Sequence, residues 1–229
     1  FNIGTHLSER FMYMPLLGLC ISVVALLHYK KLLIKKYVLI ILGIYLMILG
    51  GISMLRTTVW ESNKKLFLTD VVTSSQSAKA NNAAGGILTT EAMNHDDELM
   101  RKSNAGRAVN YLEKAIEIHP NYKNAHLLLG NAHLINEKFR ESIASYRRAL
   151  QLDPGYSEAK GNLVIALRSA GRYYGEQKGD LSQSREFLLE AEKLDPDNAE
   201  VKRLLGVNYG INNQPAKAIE YFKDVIKLQ

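Results

Sequence analysis

Ionisable side chains that could carry chemistry are concentrated in two short segments of the chain. The first segment, GTHLSERFMYMP, places Glu9 and Arg10 before the first long apolar run and Tyr13 just inside it. A guanidinium at an apolar boundary suits a phosphate oxyanion such as that of a lipid headgroup, although Glu9 and Arg10 can also pair with each other. Tyr13 can act as an interfacial aromatic anchor. A plain boundary role and a ligand-binding role are both open for these three residues.

The second segment is the acidic run His95, Asp96, Asp97 and Glu98. A metal site needs ligands that converge on one point, and adjacent residues of one loop rarely do so. We therefore predict a solvated acidic turn here and no metal site. The sequence also contains no CxxC pair, HExxH, phosphate-cradling glycine loop or GxSxG elbow. Its single cysteine, Cys20, excludes an intrachain disulfide.

Two long apolar runs dominate the first third of the chain. They occupy 11–29, FMYMPLLGLCISVVALLHY, and 37–55, YVLIILGIYLMILGGISML. Each has about the 20 residues that a helix needs to cross a hydrocarbon core of about 30 Å. We predict a transmembrane helix at each run, and a buried hairpin of a soluble protein is the alternative.

The distribution of lysines sets the predicted orientation of this hairpin. The connecting loop 30–36, KKLLIKK, is rich in lysine, and the positive-inside rule puts such a loop on the cytoplasmic side. Residues 1–10 then form an extracytoplasmic loop. The linker 56–77 and everything after it lie on the same side, in a periplasm or in the lumen of the secretory pathway.

The basic balance of the chain comes mainly from this hairpin region. The first 77 residues hold 8 Lys/Arg and 3 Asp/Glu, so their net charge is 8 − 3 = +5, against +6 for the whole chain. Membrane-flanking lysines therefore account for most of the excess, and nucleic-acid binding is not predicted.

The remaining residues, 78–229, contain a helical repeat with a period of 34 residues. Its clearest copy is 123–156, KNAHLLLGNAHLINEKFRESIASYRRALQLDPGY. Small residues recur where two helices cross closely, bulky residues fill the seam, and a proline follows the second helix. The positions that carry this pattern are Leu129, Gly130, Ala132, Phe139, Tyr146, Ala149 and Pro154. The pattern is typical of the tetratricopeptide repeat (TPR), a pair of antiparallel helices.

Four such units are predicted, at about 78–122, 123–156, 157–198 and 199–229. The third holds about eight extra residues, since Pro154 and Pro196 are 42 residues apart instead of 34. The predicted fold is all-α, with two transmembrane helices followed by a TPR α-solenoid of about four helix-turn-helix repeats. The last unit stops before its expected proline and no polar capping helix follows, so we expect the sequence to be a piece of a longer protein.

The concave face of the solenoid is predicted to bind polypeptides; membrane lipids are the other expected partner of the chain. The first helix of each unit lines this face, and a mixture of amide, aliphatic and charged side chains suits an extended peptide. The predicted lining residues are Asn124, Leu127, Asn131, Leu134, Ile135, Glu158, Ile165, Arg168, Ser169, Glu200, Arg203, Val207 and Ile211. A clamp for the terminal carboxylate of a chaperone is disfavoured. Asn131 and Asn162 fit that pattern, but Leu127 and Glu200 occupy its lysine positions.

One family shares motifs with both parts of the chain. SERFMYMPLLGLC resembles the ERxxYxP-x-x-G motif of the transmembrane and TPR repeat-containing (TMTC) proteins, and SAKANNAAG resembles the start of their first repeat. Arg56 and Trp60, in RTTVWESNKKLF, look like the family's junction between membrane and repeat regions. The motif positions are Glu9, Arg10, Tyr13, Pro15 and Gly18, whereas Leu16 departs from the serine usually found after the proline.

This resemblance implies the C-terminal part of an O-mannosyltransferase-like membrane enzyme. Such an enzyme moves a sugar from a polyprenyl phosphate to a protein hydroxyl, and Arg10 would contact the lipid phosphate. The family's acidic catalytic residues belong to an earlier membrane loop, so the catalytic residues are unknown here and no cofactor is expected in this piece. The lipid-linked sugar donor would bind the full-length protein. A non-enzymatic, membrane-anchored TPR scaffold for extracytoplasmic partners is the alternative.

Overall fold

The computed structural model describes residues 21–22, 25–26, 28–29 and 36–228. Glu9, Arg10 and Tyr13 lie outside these residues, as do the predicted loop 1–10 and most of the predicted loop 30–36. For Arg56 and Trp60 only the helical backbone is described. The chain divides into two units, Phe1–Glu61 and Ser62–Gln229.

The first unit contains helix α1, Lys36–Thr57, followed by a 3₁₀ turn, Thr58–Glu61. Many apolar side chains of α1 are exposed, among them Ile40, Ile41, Ile44, Leu46, Met47, Ile48 and Ile52. Among the described residues, no helix combines the length and the apolar character that crossing a membrane requires. The spans predicted at 11–29 and 37–55 are therefore unsupported, and most of the first lies outside the described residues.

The second unit is helical wherever the structure describes it, apart from its turns. Its helices are α2 (Asn63–Thr73), α3 (Ala78–Asn94), α4 (Glu98–Ile118), α5 (Lys123–Ile135), α6 (Phe139–Leu152), α7 (Ser157–Arg172), α8 (Leu181–Leu194), α9 (Ala199–Ile211) and α10 (Pro215–Lys227). The segment 56–77, predicted to be a linker, includes α2. Val71 of that helix is buried, and Leu68 packs against the neighbouring core.

Short polar side chains begin several of these helices. Ser77 Oγ accepts a hydrogen bond from the Ala80 amide at 3.3 Å, and Asp180 Oδ1 accepts one from the Gln183 amide at 2.9 Å. Asn198 Oδ1 accepts from the amide of residue 201 at 3.2 Å. Such caps satisfy amides that have no partner in the first turn, so they define where each helix starts.

From α3 onward the helices form successive antiparallel pairs. α3 packs on α4, α5 on α6, α7 on α8 and α9 on α10, and the first helix of each pair also contacts the first helix of the next. One core cluster joins α3, α4 and α5, and a second extends from α5 to α10. No single pair could bury its apolar faces alone, so stacking produces a solenoid.

The extra residues of the third pair lengthen it. α7 continues into a π-helical turn, Tyr173–Gln177, and Gly179 reverses the chain with a φ of +68°. The ring of Tyr173 lies 5.2 Å from that of Phe139 between centroids, and the ring of Tyr174 lies 5.5 Å from that of Phe187. The insertion is thus held in place by aromatic packing against α6 and α8.

Candidate functional site

The candidate site is the surface carried by α5, α7 and α9, here called the first-helix face. These helices adjoin one another in chain order. Residues three and four apart on each helix point the same way, so each helix contributes a stripe of side chains. On α7 the stripe runs through Glu158, Ile165 and Arg168, and on α9 it runs through Arg203 and Val207.

The prediction for Leu127 is wrong. Its side chain is only 2% exposed and belongs to the core cluster that includes Val164 and Leu167 of α7. Leu134 also packs against this cluster, although it is partly exposed. Closing the space between adjacent first helices requires apolar side chains, and Leu127 supplies one of them, so it is unavailable to a bound peptide.

The aliphatic positions on α7 and α9 are open to solvent. Ile165 is 42% exposed, Val207 is 39% exposed and Ile211 is 65% exposed. Glu158 and Arg203 are also exposed, whereas a further group is partly buried. That group comprises Asn124, Asn131, Ile135, Arg168, Ser169 and Glu200.

A network of amides and tyrosines joins α5 to α7. Tyr146 on α6 donates from its hydroxyl to Asn131 Oδ1 at 2.6 Å, and Asn162 on α7 donates from Nδ2 to the same oxygen at 3.0 Å. Burial raises the pKa of the Tyr146 hydroxyl well above its usual value, which keeps it a donor. Asn131 is therefore held in one orientation.

A second amide contact joins α3 to α5. Asn124 Nδ2 donates to Asn82 Oδ1 at 3.4 Å, and the Tyr156 hydroxyl donates to Asn124 Oδ1 at 3.3 Å. Sequence reasoning missed Asn82 and Tyr156. The register of Asn82 in the repeat could have identified it. Asn82 lies three residues before Gly85, just as the buried Leu127 lies three residues before Gly130, so both occupy the same position in their first helices.

Part of this network has hydrogen-bonding capacity left over. Within the part of the chain that the structure describes, neither Asn131 Nδ2 nor Asn162 Oδ1 has a hydrogen-bond partner. An amide nitrogen can donate to a backbone carbonyl, and an amide oxygen can accept from a backbone amide. Asn131, a predicted residue of this face, and Asn162 thus offer one donor and one acceptor to a ligand.

Charged side chains gather between α7 and α9. Arg203 binds Glu200 through two hydrogen bonds, Nε to Oε2 at 2.7 Å and Nη2 to Oε1 at 2.8 Å. The pKa of Glu200 is lowered first by this hydrogen bonding and then by the charges of Arg203, Arg168 and Arg172, while burial opposes the shift. Arg168 and Arg172 of α7 therefore lie close enough to act on a carboxylate of α9.

The acidic run before α4 has local structural roles. Asp97 Oδ1 accepts hydrogen bonds from the Leu99 amide at 2.8 Å and the Met100 amide at 3.4 Å, so Asp97 caps α4. Glu98 pairs with Lys102 at 2.7 Å. Across residues 36–228 and the few described before them, no three His, Cys, Asp or Glu side chains are grouped as metal ligands would be.

Comparisons with known proteins agree with the helix pairs. Two family models, both described as Tetratricopeptide repeat, match residues 97–157 and 128–175 and residues 169–198. Protein O-mannosyl-transferase TMTC3 of Mus musculus is 24% identical over 243 residues, covering 100% of this chain and 25% of that protein. Anaphase-promoting complex subunit 3 of Schizosaccharomyces pombe is 24% identical over 122 residues, covering 53% of this chain and 17% of that protein. The chain spans about a quarter or less of the length of these relatives.

A solved structure shows the same fold. The crystal structure of MamA protein has a TM-score of 0.51 and 15% sequence identity, covering 80% of this chain and 88% of that chain. Together with the helix pairs and the family matches, this likeness shows that the chain carries tetratricopeptide repeats arranged as an all-helical solenoid.

Proposed function

We propose that the first-helix face binds an extended segment of another polypeptide. The observation that carries this proposal is the exposure of Ile165 and Val207, two aliphatic side chains on adjacent helices. Covering such side chains removes apolar surface from water and stabilises a complex. The unused groups of Asn131 and Asn162 then supply hydrogen bonds to the backbone of the bound segment.

This face suits a peptide better than a compact small molecule. Its aliphatic, amide and charged groups are spread over three helices, and much of its length is exposed. An extended chain can reach all of them, whereas a small ligand is usually enclosed on most sides.

Selection from a random peptide library tests the proposal. The 229-residue chain, purified in mild detergent, would be immobilised and exposed to displayed random peptides, and enriched peptides would be measured by fluorescence anisotropy. The double variant Ile165→Ser/Val207→Ser should bind them about tenfold more weakly, the loss expected for removing aliphatic contacts. Ile219→Ser, which alters an exposed isoleucine on the second helix of its pair, is the matched control. Absence of any enriched peptide, or equal weakening by the control, would reject the proposal.

We further propose that the solenoid is an extracytoplasmic part of a TMTC-like protein and presents acceptor polypeptides to an O-mannosyltransferase-like membrane domain. Three observations support this: the ERxxYxP motif at Glu9 to Pro15, the 24% identity to mouse TMTC3 over the whole chain, and the exposed apolar side chains of α1. Exposed apolar surfaces of this kind mark contacts with lipid or with other proteins.

Two experiments address this finer proposal. With Cys20→Ser as background, a cysteine placed by Lys160→Cys should resist an impermeant reagent added to the cytosolic side of sealed membranes; rapid modification would place the repeats in the cytosol. In the full-length protein, Arg10→Ala should lower sugar transfer from a lipid-linked donor while leaving expression and folding unchanged.

A non-enzymatic scaffold is the second candidate function. The similarity of 53% of the chain to a protein named as a subunit of a complex favours it. If the full-length protein transfers no sugar while its complexes depend on Ile165 and Val207, the scaffold is the correct function.

A further inference from the structure

We infer that the segment bound by the first-helix face is acidic, with side-chain carboxylates received by Arg168 and Arg172. This inference rests on the proposed peptide-binding function and names the class of peptide. The two arginines are four residues apart on α7, so they lie on one side of the helix, one turn from each other. Ile165 lies one turn before Arg168 on that side.

Within the described residues, the two guanidinium groups make no direct contact with a carboxylate, although both act on Glu200 through their charge. Among the described residues, neither Arg168 nor Arg172 forms a hydrogen bond or an ion pair. Arg203, in contrast, is occupied by its two hydrogen bonds to Glu200. The carboxylate of Glu200 lies in the same region, but Arg203 on the same helix neutralises its charge.

The local charges leave an excess of positive charge. Arg168 and Arg172 act on the carboxylate of Glu200, and Glu176 acts on Arg203. Among these five side chains, three arginines against two glutamates leave one positive charge. Glu158 is ten residues from Arg168 on α7, a separation of about 15 Å along the axis, and its charge is screened at that distance.

Spacing favours carboxylates on alternate residues of an extended chain. One helical turn separates Arg168 from Arg172, about 6 Å along the axis of α7. Side chains on one side of an extended peptide recur about every 6.6 Å. A Glu-x-Glu segment can therefore place one carboxylate at each guanidinium, and the planar guanidinium fork binds a carboxylate through two hydrogen bonds.

The surroundings make such pairs stronger than isolated surface ion pairs. Ile165 and Val207 flank the cluster on α7 and α9. Aliphatic side chains of the bound segment that cover them would also exclude water from the arginines, which strengthens charge pairing. We therefore expect a leucine or similar residue on each side of the carboxylates.

Designed peptides test this inference directly. The probe is the labelled, C-terminally amidated peptide Leu-Ser-Glu-Ser-Glu-Ser-Leu, compared with peptides in which both glutamates are glutamine or lysine. Fluorescence anisotropy with the 229-residue chain in mild detergent should show the Glu peptide binding about tenfold more tightly than the Gln peptide, and the Lys peptide binding more weakly than either. A Gln peptide with a free C-terminal carboxylate shows whether a chain terminus can replace the side-chain carboxylates.

Substitutions then locate the effect. In Arg168→Gln/Arg172→Gln the Glu peptide and the Gln peptide should bind within about twofold of each other, because the charge preference resides in these side chains. Arg107→Gln removes an exposed arginine of α4 and should leave the preference intact. Thermal unfolding followed by circular dichroism checks that the variants fold.

Every other outcome of these experiments contradicts the inference, and the outcomes can be told apart. Equal binding of Glu and Gln peptides, tighter binding of the free C-terminal carboxylate, or a preference that survives the double substitution overturns it. If the random library enriches neutral or basic peptides that depend on Ile165 and Val207, the peptide-binding function stands and only the acidic preference fails. If nothing is enriched, both fail. Self-association that the double substitution abolishes would identify a second copy of the chain as the occupant and would also overturn it.

Discussion

The aromatic ring of Tyr146 lies directly against the backbone of Gly130. A Cβ atom at position 130 would stand 2.4 Å from Cε1 of Tyr146, far inside the contact distance of two carbon atoms. The same relationship recurs in the other pairs, where a glycine of the first helix faces a large side chain of the second. These contacts are Gly85 with Leu112, Gly171 with Leu188 and Gly206 with Phe222. Close helix crossing in this solenoid therefore depends on glycine.

Substitution of Gly130 by alanine should destabilise the protein. Tyr146 is fully buried, so its ring cannot move aside, and overpacking of this kind costs about 1–3 kcal/mol. Urea unfolding would measure the loss. Gly161→Ala is the matched control, because a Cβ there meets nothing within 4 Å and alanine should stabilise α7 by about 0.5–1 kcal/mol. Equal effects at the two positions would contradict the packing account.

The prediction for Tyr146→Phe concerns the hydrogen bond to Asn131. Removing the hydroxyl keeps the ring against Gly130 but deletes the 2.6 Å bond, at an expected cost of about 1 kcal/mol in the free energy of unfolding. A double-mutant cycle with Asn131→Ala would isolate the pair. If the two substitutions are additive, Tyr146 does not hold the amide in place.

Stability at alkaline pH should also depend on Tyr146. Burial raises the pKa of its hydroxyl above the ordinary value of 10.0, so above that value the unfolded chain loses a proton that the folded protein retains. Unfolded molecules then bind fewer protons than folded ones, and stability falls as pH rises. Unfolding measured from pH 9 upward should show a steeper loss for the original protein than for Tyr146→Phe. Parallel curves would contradict this assignment.

Replacement of Glu137 by glycine should stabilise the protein. Its φ is +57°, in the left-handed region that glycine adopts at no steric cost, and it lies in the turn between α5 and α6. Glu137→Gly should stabilise the protein by about 0.5–1 kcal/mol. Asn213, in the equivalent turn between α9 and α10 with φ +55°, tolerates this conformation better, so Asn213→Gly should have a smaller effect. Chemical unfolding measures both effects. A larger stabilisation from Asn213→Gly than from Glu137→Gly would contradict the strain account.

Truncation of Leu127 should reduce the stability of the protein, whereas truncation of Ile165 should reduce peptide binding. Leu127→Ala leaves a cavity between α5 and α7 and should cost about 2–5 kcal/mol. Ile165→Ala removes an exposed side chain and should change stability by less than about 1 kcal/mol, while weakening peptide binding. Unfolding and anisotropy measured on both variants separate the two roles. A stable Leu127→Ala variant with lost binding would restore Leu127 to the binding face.

The repeat pattern was sufficient to predict the helix pairs and many of the side chains that each first helix exposes. Periodicity and small-residue spacing are local properties, so Gly130 and Tyr146 could be recognised as packing positions of the repeat from residues 123–156 alone. The exposed positions Ile165, Arg203 and Val207 follow from the same periodicity. The position of Leu127 does not, because its burial depends on how closely α7 approaches α5.

Sequence by itself therefore determined the repeat and the all-helical solenoid, and it correctly predicted that Ile165, Arg203 and Val207 are exposed. Only the tertiary structure decided that Gly171 is the crossing glycine of the third pair, that Asn131 is oriented by Tyr146 and Asn162, and that Arg203 is occupied while Arg168 and Arg172 are not. The physical reason is the distance along the chain over which each interaction acts. Helix formation and amphipathic pattern arise from neighbours within one or two turns, whereas crossing points, hydrogen-bond partners and charge pairing depend on side chains brought together from different helices.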